Sequence, residues 1–555
     1  MNTGHRTGGQ ADQPADQPAD QPEDMTGAIH GGDTVTLCRK SDLDPWQIID
    51  ASANLNPLGP PDWLDAAFSE GRREIVRYPD PHARQLRAAI AGSLGIPAEC
   101  IVPGNGADEL MFALGRALGR AVTGDIQQAL HGALQETASG GSQSARQEIA
   151  AHPMAGTCGR VLAPEPSRSV DNPVHLVEAP SYASYRAAAM AAGFTVRSVP
   201  ARMPEPVGPE TPTPAIQTAS PSATPPSGLA SLHAPHSETP RTATAEGSQV
   251  NWPASLQALR DAPAGSAVWF GAPNNPTGVM PDGFPDAFIE ASASMRDRFI
   301  IIDEAFIDFV SDPDTGLEVL AARGTTASTL VVIRSMTKFW CVPGLRLGYL
   351  VCSPRLAALV RAELPNWPLN AVAEAFARRA FSDEAAAARQ RRRATLELVD
   401  TERLRCATAL SVLPGVSVYD SSTNYYLVRL DGAATAAADL AEALALTGIG
   451  VRRCDTFEMP PSMPAGNYLR IAVRTPAEND RIIEAIAAHM SGDVDRYPAA
   501  VSAPRKEMAD LHSGQPGAQP AGSAHLGDMH ATGASRQGTP ARQPVASGSR
   551  ARALM

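Results

Sequence analysis

The sequence has no Cys-x-x-Cys pair among its 7 cysteines, so it predicts neither a zinc site nor a disulfide framework. Its basic residues form no stripe, and its formal net charge of -12 argues weakly against nucleic acid as a partner. No apolar run reaches the roughly 18 residues that a membrane span needs, and the first residues lack the apolar core of a signal peptide. We therefore expect a cytoplasmic protein with reduced cysteines, no metal site and no membrane partner.

Several stretches have too little apolar content to build a core. Residues 1–29 contain ADQP three times in succession, and residues 201–250 are rich in Pro, Ser, Thr and Ala. Residues 124–172 mix a short helical pattern with linker-like sequence and are interpreted as a second insertion. We predict a disordered leader (1–29), an N-terminal arm joining the small domain (30–75), a large domain (76–354) with flexible insertions at about 124–172 and 201–250, a small C-terminal domain (355–492) and a disordered tail (493–555).

Short runs rich in Val and Ile alternate with helical patterns in the remaining sequence, which is typical of a mostly parallel sheet covered by helices. After Pro354 the pattern changes to helices and short alternating strands, which predicts a smaller α+β domain. Ligands bind at the carboxyl ends of the strands in an open α/β sheet. The predicted strands are 174–180, 195–200, 267–273, 299–303, 329–335 and 347–353 in the large domain, and 424–430, 450–454 and 468–474 in the small one.

Three motifs follow predicted strands in chain order. GAPNNPTG contains Asn275, and FIIIDEAFIDF ends an apolar strand with Asp303. The segment SMTKFWCVPGLR places Lys338 just past the next strand. A buried carboxylate needs a cationic partner, and a cofactor ring nitrogen could supply one. Taken singly, each motif has an ordinary alternative: a turn, a helix cap, or a surface lysine.

Together, the three motifs supply what pyridoxal 5'-phosphate (PLP) chemistry requires: a lysine for the aldehyde, an acid for the pyridine nitrogen, and an anion site for the phosphate. Their order and the S-x-T-K-x7-R spacing resemble the aspartate-aminotransferase-like, fold-type I PLP enzymes. The resemblance implies that Lys338 carries the cofactor through a Schiff base, that Asp303 pairs with the ring nitrogen, and that Asn275 donates to the ring hydroxyl. It places three further residues at the cofactor, with the serine and the arginine on its phosphate: Ser335, Thr337 and Arg346.

The same resemblance extends upstream. In VPGNGADELMFALGRAL a glycine-bearing loop opens a helix, and the free N–H groups of Gly106, Ala107 and Asp108 would suit a phosphate, although a plain helix cap at Asp108 is the alternative. Tyr182 matches the aromatic residue that stacks on the cofactor ring, with ordinary packing as its alternative. Tyr78 in RYPD matches a tyrosine that reaches the phosphate of the neighbouring subunit, which implies a homodimer.

Two subfamilies resemble the chain over nearly all of residues 31–490 outside the insertions: threonine-phosphate decarboxylase of cobalamin synthesis and histidinol-phosphate aminotransferase. The segments HGGD, IIDASANLNPLGPP, DEAFIDF and NWPLNAVAEA favour the decarboxylase. The aminotransferase usually has tyrosine at the position of Phe306 and glycine at that of Arg474. Because strand side chains alternate, Arg470 and Arg474 in YLRIAVR are expected on the same side. We predict that these residues hold the anionic ends of a small phosphorylated amino acid: Arg470, Arg474, His30, Asn54 and Arg452.

The expected reaction is decarboxylation of L-threonine O-3-phosphate, with an amino-acid aminotransferase as the alternative. A PLP-binding transcriptional regulator is a remote alternative, because the segment before His30 cannot form the three helices of a helix-turn-helix domain. The resemblance implies the fold-type I architecture, in which a mostly parallel sheet between helices forms a large domain beside a smaller C-terminal α+β domain.

Overall fold

The computed structural model describes residues 31–122, 172–208, 252–310, 329–382, 385–433 and 436–493. The predicted leader, the tail from residue 494 onward, most of both insertions and His30 lie outside these residues. Among the described residues, no helix is long and apolar enough to cross a membrane. The same residues contain no group of three or more His, Cys, Asp and Glu side chains arranged to hold a metal ion.

The described part of the chain forms three sheets with helices around them. The strands are β1 (Ile49–Asp50), β2 (Ile101–Gly104), β3 (Val174–Ala179), β4 (Thr195–Pro200), β5 (Ala267–Gly271), β6 (Phe299–Asp303), β7 (Leu330–Ser335), β8 (Gly348–Val351), β9 (Val416–Val418), β10 (Tyr425–Leu430), β11 (Ile449–Gly450), β12 (Arg452–Arg453) and β13 (Tyr468–Ala472). The helices are α1 (Thr34–Ser41), α2 (Leu64–Glu74), α3 (Arg84–Leu94), α4 (Ala107–Val122), α5 (Ser184–Ala191), α6 (Ala254–Arg260), α7 (Asp286–Ser294), α8 (Pro354–Ala362), α9 (Ala371–Ala380), α10 (Ala385–Ser411), α11 (Ala436–Leu446) and α12 (Pro476–Ser491).

The largest sheet has 7 strands in the order β2-β8-β7-β6-β5-β3-β4. All neighbouring strands are parallel except those that pair with β8. Strands β5, β6 and β7 consist mainly of buried apolar residues because helices cover both faces of the sheet. The predicted α/β class with a mostly parallel sheet is confirmed.

Strand β2 was not among the predicted strands. Its sequence, IVPG, is short and contains Pro103, so it has neither the length nor the alternation that indicates a strand. Proline is tolerated because β2 lies at the edge of the sheet and pairs with β8 alone. The strand leads directly into the glycine loop before α4.

A 4-stranded antiparallel sheet, β12-β13-β10-β9, forms the second core with α10, α11 and α12. The N-terminal arm packs on this second core through β1, which pairs in parallel with β11 in a separate 2-stranded sheet. The predicted strand 450–454 is divided between β11 and β12, which pair with different partners. The predicted strand 468–474 ends earlier, at Ala472.

The predicted boundary at Pro354 does not coincide with the change of core. Leu356 and Val360 of α8, and Phe376 of α9, lie in the apolar clusters of the 7-stranded sheet. The apolar core of the 4-stranded sheet instead takes residues from α10 onward, including Cys406 and Leu410. The sequence changes from strands to helices at Pro354, but a helical pattern does not specify which sheet the helix covers.

The beginning of the predicted 201–250 insertion also differs. Pro206 forms a bridge with Tyr419, and the Val207 N–H donates to the Val418 carbonyl at 2.7 Å. Residues 201–208 therefore belong to the packed structure next to β9. A proline-rich composition disfavours regular strands but does not prevent single backbone contacts with a sheet edge.

Candidate active site

The motif residues lie at one edge of the large sheet, where the parallel strands end. Asp303 is the last residue of β6, and Asn275 follows β5. Lys338 follows β7, and Tyr182 follows β3. The parallel order β7-β6-β5-β3 brings these four side chains to the same end of the sheet, as the strand-end prediction required.

Lys338 lies partly buried in the turn after β7, and its main-chain carbonyl accepts hydrogen bonds from Asn56 and Cys341. Burial lowers the pKa of its amine to about 8, and the nearby positive charges of Arg470 and Arg346 act in the same direction. The amine is therefore neutral over an accessible pH range, which is the form that reacts with an aldehyde.

Asp303 is buried and accepts two hydrogen bonds. Its Oδ1 accepts from the Ala305 N–H at 3.0 Å, and its Oδ2 accepts from the Tyr185 hydroxyl at 2.8 Å. Burial raises the pKa of Asp303 to about 6, and these two hydrogen bonds oppose the increase. Sequence reasoning missed Tyr185 as a site residue, because a tyrosine in the first turn of a helix is usually a packing residue.

Gly106, Ala107 and Arg346 form a cradle at the N-terminus of α4. Gly106 has a φ of +91°, and a Cβ at this position would lie 2.6 Å from Arg346 Nη2. The guanidinium thus packs directly against the glycine backbone. The Gly106 N–H, predicted to be free, donates to the Gly104 carbonyl at 2.8 Å, so the N–H groups suited to an anion are those of the first turn of α4 that follow it. The Ser335 and Thr337 hydroxyls, 2.8 Å apart, follow the neighbouring strand β7.

Asp108 does not have a free carboxylate in this cradle. It accepts from the Tyr182 hydroxyl, at 3.1 Å to Oδ1 and 3.3 Å to Oδ2. The bond fixes the half-buried Tyr182 ring beside α4, so only the backbone N–H of Asp108 remains suited to an anion. Burial raises the pKa of Tyr182 to about 12, so its hydroxyl stays a donor at neutral pH.

Arg470 is buried in the middle of β13 and links the two sheets. It donates to Asn275 Oδ1 and to the Ser52 carbonyl, both at 2.6 Å. A guanidinium has only donors, so the Asn275 amide must direct its oxygen toward Arg470, which turns its NH2 group away from the arginine. Within the part of the chain that the structure describes, Arg470 Nε has no hydrogen-bond partner, and neither the side-chain oxygen nor the side-chain nitrogen of the buried Asn54 has one. Buried polar groups are normally hydrogen-bonded, so these unsatisfied groups indicate that a polar ligand binds here.

Aromatic rings hold the arginines in place. The Arg470 guanidinium lies 5.3 Å from the Tyr425 ring and 5.6 Å from the Phe457 ring. The Arg452 guanidinium lies 5.2 Å from the centre of the same Phe457 ring and donates a hydrogen bond to the Thr456 hydroxyl. The Phe306 ring contacts the Tyr425 ring edge-on, with centroids 5.0 Å apart, so this side of the site is an apolar wall.

Arg474 differs from its predicted setting. Because β13 ends at Ala472, the alternation of strand side chains does not extend to residue 474. Its guanidinium pairs with Glu478 at 3.7 Å, and the Asn479 amide binds both its backbone N–H and its carbonyl. Arg474 is nevertheless close enough to Cys341, in the Lys338 turn, to oppose the burial that raises the pKa of that thiol.

Tyr78 is 81% exposed and stacks on Trp367 with ring centroids 4.6 Å apart. The two rings line an open cavity of about 620 Å³ that also includes Asn105 and Glu109 on either side of the glycine cradle. The predicted role of Tyr78 at a neighbouring subunit stays a prediction.

The arrangement fits PLP. The side-chain-free Gly106 loop leaves room for a phosphate beside Arg346, and Asp303 keeps a lone pair on each oxygen after its two hydrogen bonds. Lys338 offers its amine, Asn275 its NH2 group, and Arg470 its unpartnered Nε. Donors, a carboxylate and an amine thus converge on one cleft.

Comparisons with known proteins show which family and which enzymes the chain is similar to. The aminotransferase class I and II family matches residues 233–486. The chain is 27% identical to threonine-phosphate decarboxylase of Salmonella typhimurium, over 83% of this chain and 97% of that protein. It is 25% identical to the adenosylcobalamin biosynthesis bifunctional protein CobDQ of Leptospira interrogans, over 86% of this chain but only 42% of that longer protein.

The histidinol-phosphate aminotransferase of Xanthomonas campestris is 34% identical over 46% of this chain and 65% of that protein. The solved structure of L-threonine-O-3-phosphate decarboxylase from Porphyromonas gingivalis has a TM-score of 0.53 at 19% identity and covers 80% of this chain and 100% of that one, which shows a shared fold. The family match over residues 233–486, the shared fold and the site geometry lead to one conclusion: the chain is similar to the aminotransferase class I and II family, and its cofactor is PLP.

Proposed function

We propose that this enzyme decarboxylates L-threonine O-3-phosphate to (R)-1-amino-2-propanol O-2-phosphate. The observation that carries the proposal is the buried Arg470, held by Asn275 and Ser52, with an unpartnered Nε and the equally unpartnered Asn54 amide. Arg452 lies beside it across the Phe457 ring. This concentration of donors and positive charge suits a substrate with two anionic groups.

Each residue has a defined task. Gly106, Ala107, Ser335, Thr337 and Arg346 would hold the phosphate of PLP, while Asp303 would keep a proton on its ring nitrogen. When bound, PLP supplies a ring that accepts the electron pair released as a bond to the substrate Cα breaks. Arg470 binds the substrate carboxylate and so sets which Cα bond is positioned to break.

The Cα–carboxylate bond is the one that breaks, and carbon dioxide leaves without its electron pair. A proton from Lys338 Nζ then takes the place of the carboxylate at Cα. Because the pKa of Lys338 is about 8, its amine can hold and release this proton near neutral pH. No oxo-acid acceptor takes part, which distinguishes this reaction from transamination.

The second candidate is an amino-acid aminotransferase such as histidinol-phosphate aminotransferase. It is favoured by the 34% identity to the Xanthomonas campestris protein, which is higher than the identity to either cobalamin relative. The greater coverage of the Salmonella decarboxylase and the apolar Phe306 wall favour decarboxylation.

The test is to incubate the PLP-loaded protein with L-threonine O-phosphate alone and to assay carbon dioxide and aminopropanol phosphate. Histidinol phosphate with 2-oxoglutarate is run in parallel. We expect L-threonine O-phosphate to release carbon dioxide in the absence of an oxo-acid acceptor. Glutamate formation in the parallel reaction, with no carbon dioxide in the first, would replace the proposal with the aminotransferase.

We also propose that the enzyme is a cytoplasmic homodimer in which Tyr78 reaches the cofactor phosphate of the other subunit. Ile75, Val76 and Tyr78 are exposed next to Trp367, and together they form an apolar surface beside the cradle residues Asn105 and Glu109. Sedimentation of the loaded protein tests this. A monomer that retains full activity would exclude a shared site.

A further inference from the structure

Tyr185 is the residue that connects the Asp303 carboxylate to the aromatic core of the large sheet. It is 1% exposed, and its ring stacks on Trp269 with centroids 5.8 Å apart and an interplanar angle of 18°. The Trp269 indole N–H in turn donates to His175 Nδ1 at 3.1 Å. Both ends of the phenol are therefore fixed, the ring by stacking and the hydroxyl by Asp303.

In the hydrogen bond between Tyr185 and Asp303, the tyrosine hydroxyl is the donor. The pKa of Tyr185 lies well above its usual value, because its burial and the negative charge of Asp303 both disfavour a phenolate. The hydroxyl thus remains protonated and donates to Asp303 Oδ2 at 2.8 Å. A donor to a carboxylate stabilises its ionised form, which opposes the burial that raises the pKa of Asp303.

The bond also orients the carboxylate. Oδ1 is held by the Ala305 N–H and Oδ2 by Tyr185, so the carboxyl plane cannot rotate without breaking one of them. The remaining lone pairs of the two Asp303 carboxylate oxygens are available to a cation. Among the described residues, no Lys or Arg lies within ion-pair distance of Asp303; the charges of Lys338 and Asp108 act on it from farther away and in opposite directions, so the carboxylate can still take a cationic ligand.

We propose that Tyr185 is a positioning residue, which keeps Asp303 ionised and aimed at the ring nitrogen of PLP. The inference depends on the cofactor and not on which reaction the enzyme catalyses, so it stands or fails independently of the decarboxylase proposal. It assigns a function to a tyrosine that would otherwise count as core packing.

The test compares Tyr185→Phe with the unchanged protein in the binding of PLP to the apoprotein from pH 5 to 9. The 1-deaza analogue of PLP, which has carbon in place of the ring nitrogen, is the second probe. We expect the acidic limit of PLP binding to move upward by about one to two pH units in Tyr185→Phe, the size of a hydrogen bond to a charged group in pKa units. Binding of the deaza analogue should be unchanged.

Tyr426→Phe is the matched control, because Tyr426 is equally buried but lies in the core of the 4-stranded sheet. It should leave both binding curves unchanged. A second variant guards against loss of folding: 3,5-difluorotyrosine at position 185 keeps the ring and has a more acidic hydroxyl. Because this hydroxyl is a stronger hydrogen-bond donor to Asp303, the acidic limit of PLP binding should move to lower pH.

Equal weakening of PLP and the deaza analogue in Tyr185→Phe would show that the residue acts through packing alone and would overturn the proposal. An unchanged pH limit in both Tyr185 variants would also overturn it. Opposite shifts in the two variants, seen with PLP and absent with the deaza analogue, are the expected result.

Discussion

Gly106→Ala should weaken PLP binding much more than it weakens folding. Two effects act at this position. The φ of +91° is unfavourable for any residue with a Cβ, at a cost of about 1–3 kcal/mol. The added Cβ would also lie 2.6 Å from Arg346 Nη2 and 3.1 Å from its Cζ, so the guanidinium must move away from the cradle.

The displaced guanidinium loses its charge-assisted hydrogen bond to the cofactor phosphate. Such a bond contributes about 1.5–3 kcal/mol, which corresponds to a Kd for PLP between about tenfold and a hundredfold higher. The assay is titration of the apoprotein with PLP, followed by absorbance, together with a thermal melt of the apoprotein.

Gly95→Ala is the matched control. Gly95 has a φ of +66° at the end of α3, and a Cβ there would meet no atom within 4 Å. Both variants should lower the melting temperature, and only Gly106→Ala should raise the Kd for PLP. Wild-type affinity in Gly106→Ala would refute the assignment of Arg346 and the glycine loop to the phosphate.

Four further predictions concern the site and the core. Trapping of PLP on Lys338 of the apoprotein by cyanoborohydride, read by peptide mass, should rise with pH through a midpoint near 8, and a midpoint above 10 would contradict a perturbed amine. Arg474→Gly should raise the KM for L-threonine O-phosphate by about tenfold through the loss of a charge-assisted contact, and unchanged turnover would remove Arg474 from the substrate site. Phe306→Tyr should lower the pKa of the absorbance change of the bound cofactor, because a phenol hydroxyl stabilises the ionised ring oxygen; identical spectral titrations would refute this. Burial raises the pKa of Glu178 from its ordinary 4.5 to about 8. Between these two pH values Glu178 ionises more readily in the unfolded chain than in the folded one, so the free energy of unfolding falls as pH rises. Glu178→Gln should therefore raise the melting temperature more at pH 8 than at pH 5, and equal effects at the two pH values would contradict the shift.

Predictions from the sequence were accurate to the residue for one central, buried strand and for one exposed strand at the edge of the sheet. The predicted strands 195–200 and 299–303 match β4 and β6, and most others differ by one or two residues at an end. Short edge strands such as β2 were missed, because the pattern of one segment does not contain its hydrogen-bonding partner. The packing of α8 and α9 against the large sheet was not foreseen for a similar reason, since amphipathic helices do not encode which sheet they cover.

The site residues divide in the same way. The sequence alone determined the cofactor chemistry, because Lys338, Asp303, Asn275 and Arg346 occur in motifs whose order and spacing are local properties of the chain. Only the tertiary structure decided the neighbours of these residues. The Tyr185 hydroxyl on Asp303, the Tyr182 hydroxyl on Asp108 and the Asn275 contact of Arg470 join segments 74 to 195 residues apart, and no local pattern records such pairs. A motif fixes which groups are present, whereas their pKa values and free lone pairs depend on burial and hydrogen bonds, which exist only after the sheets have packed together.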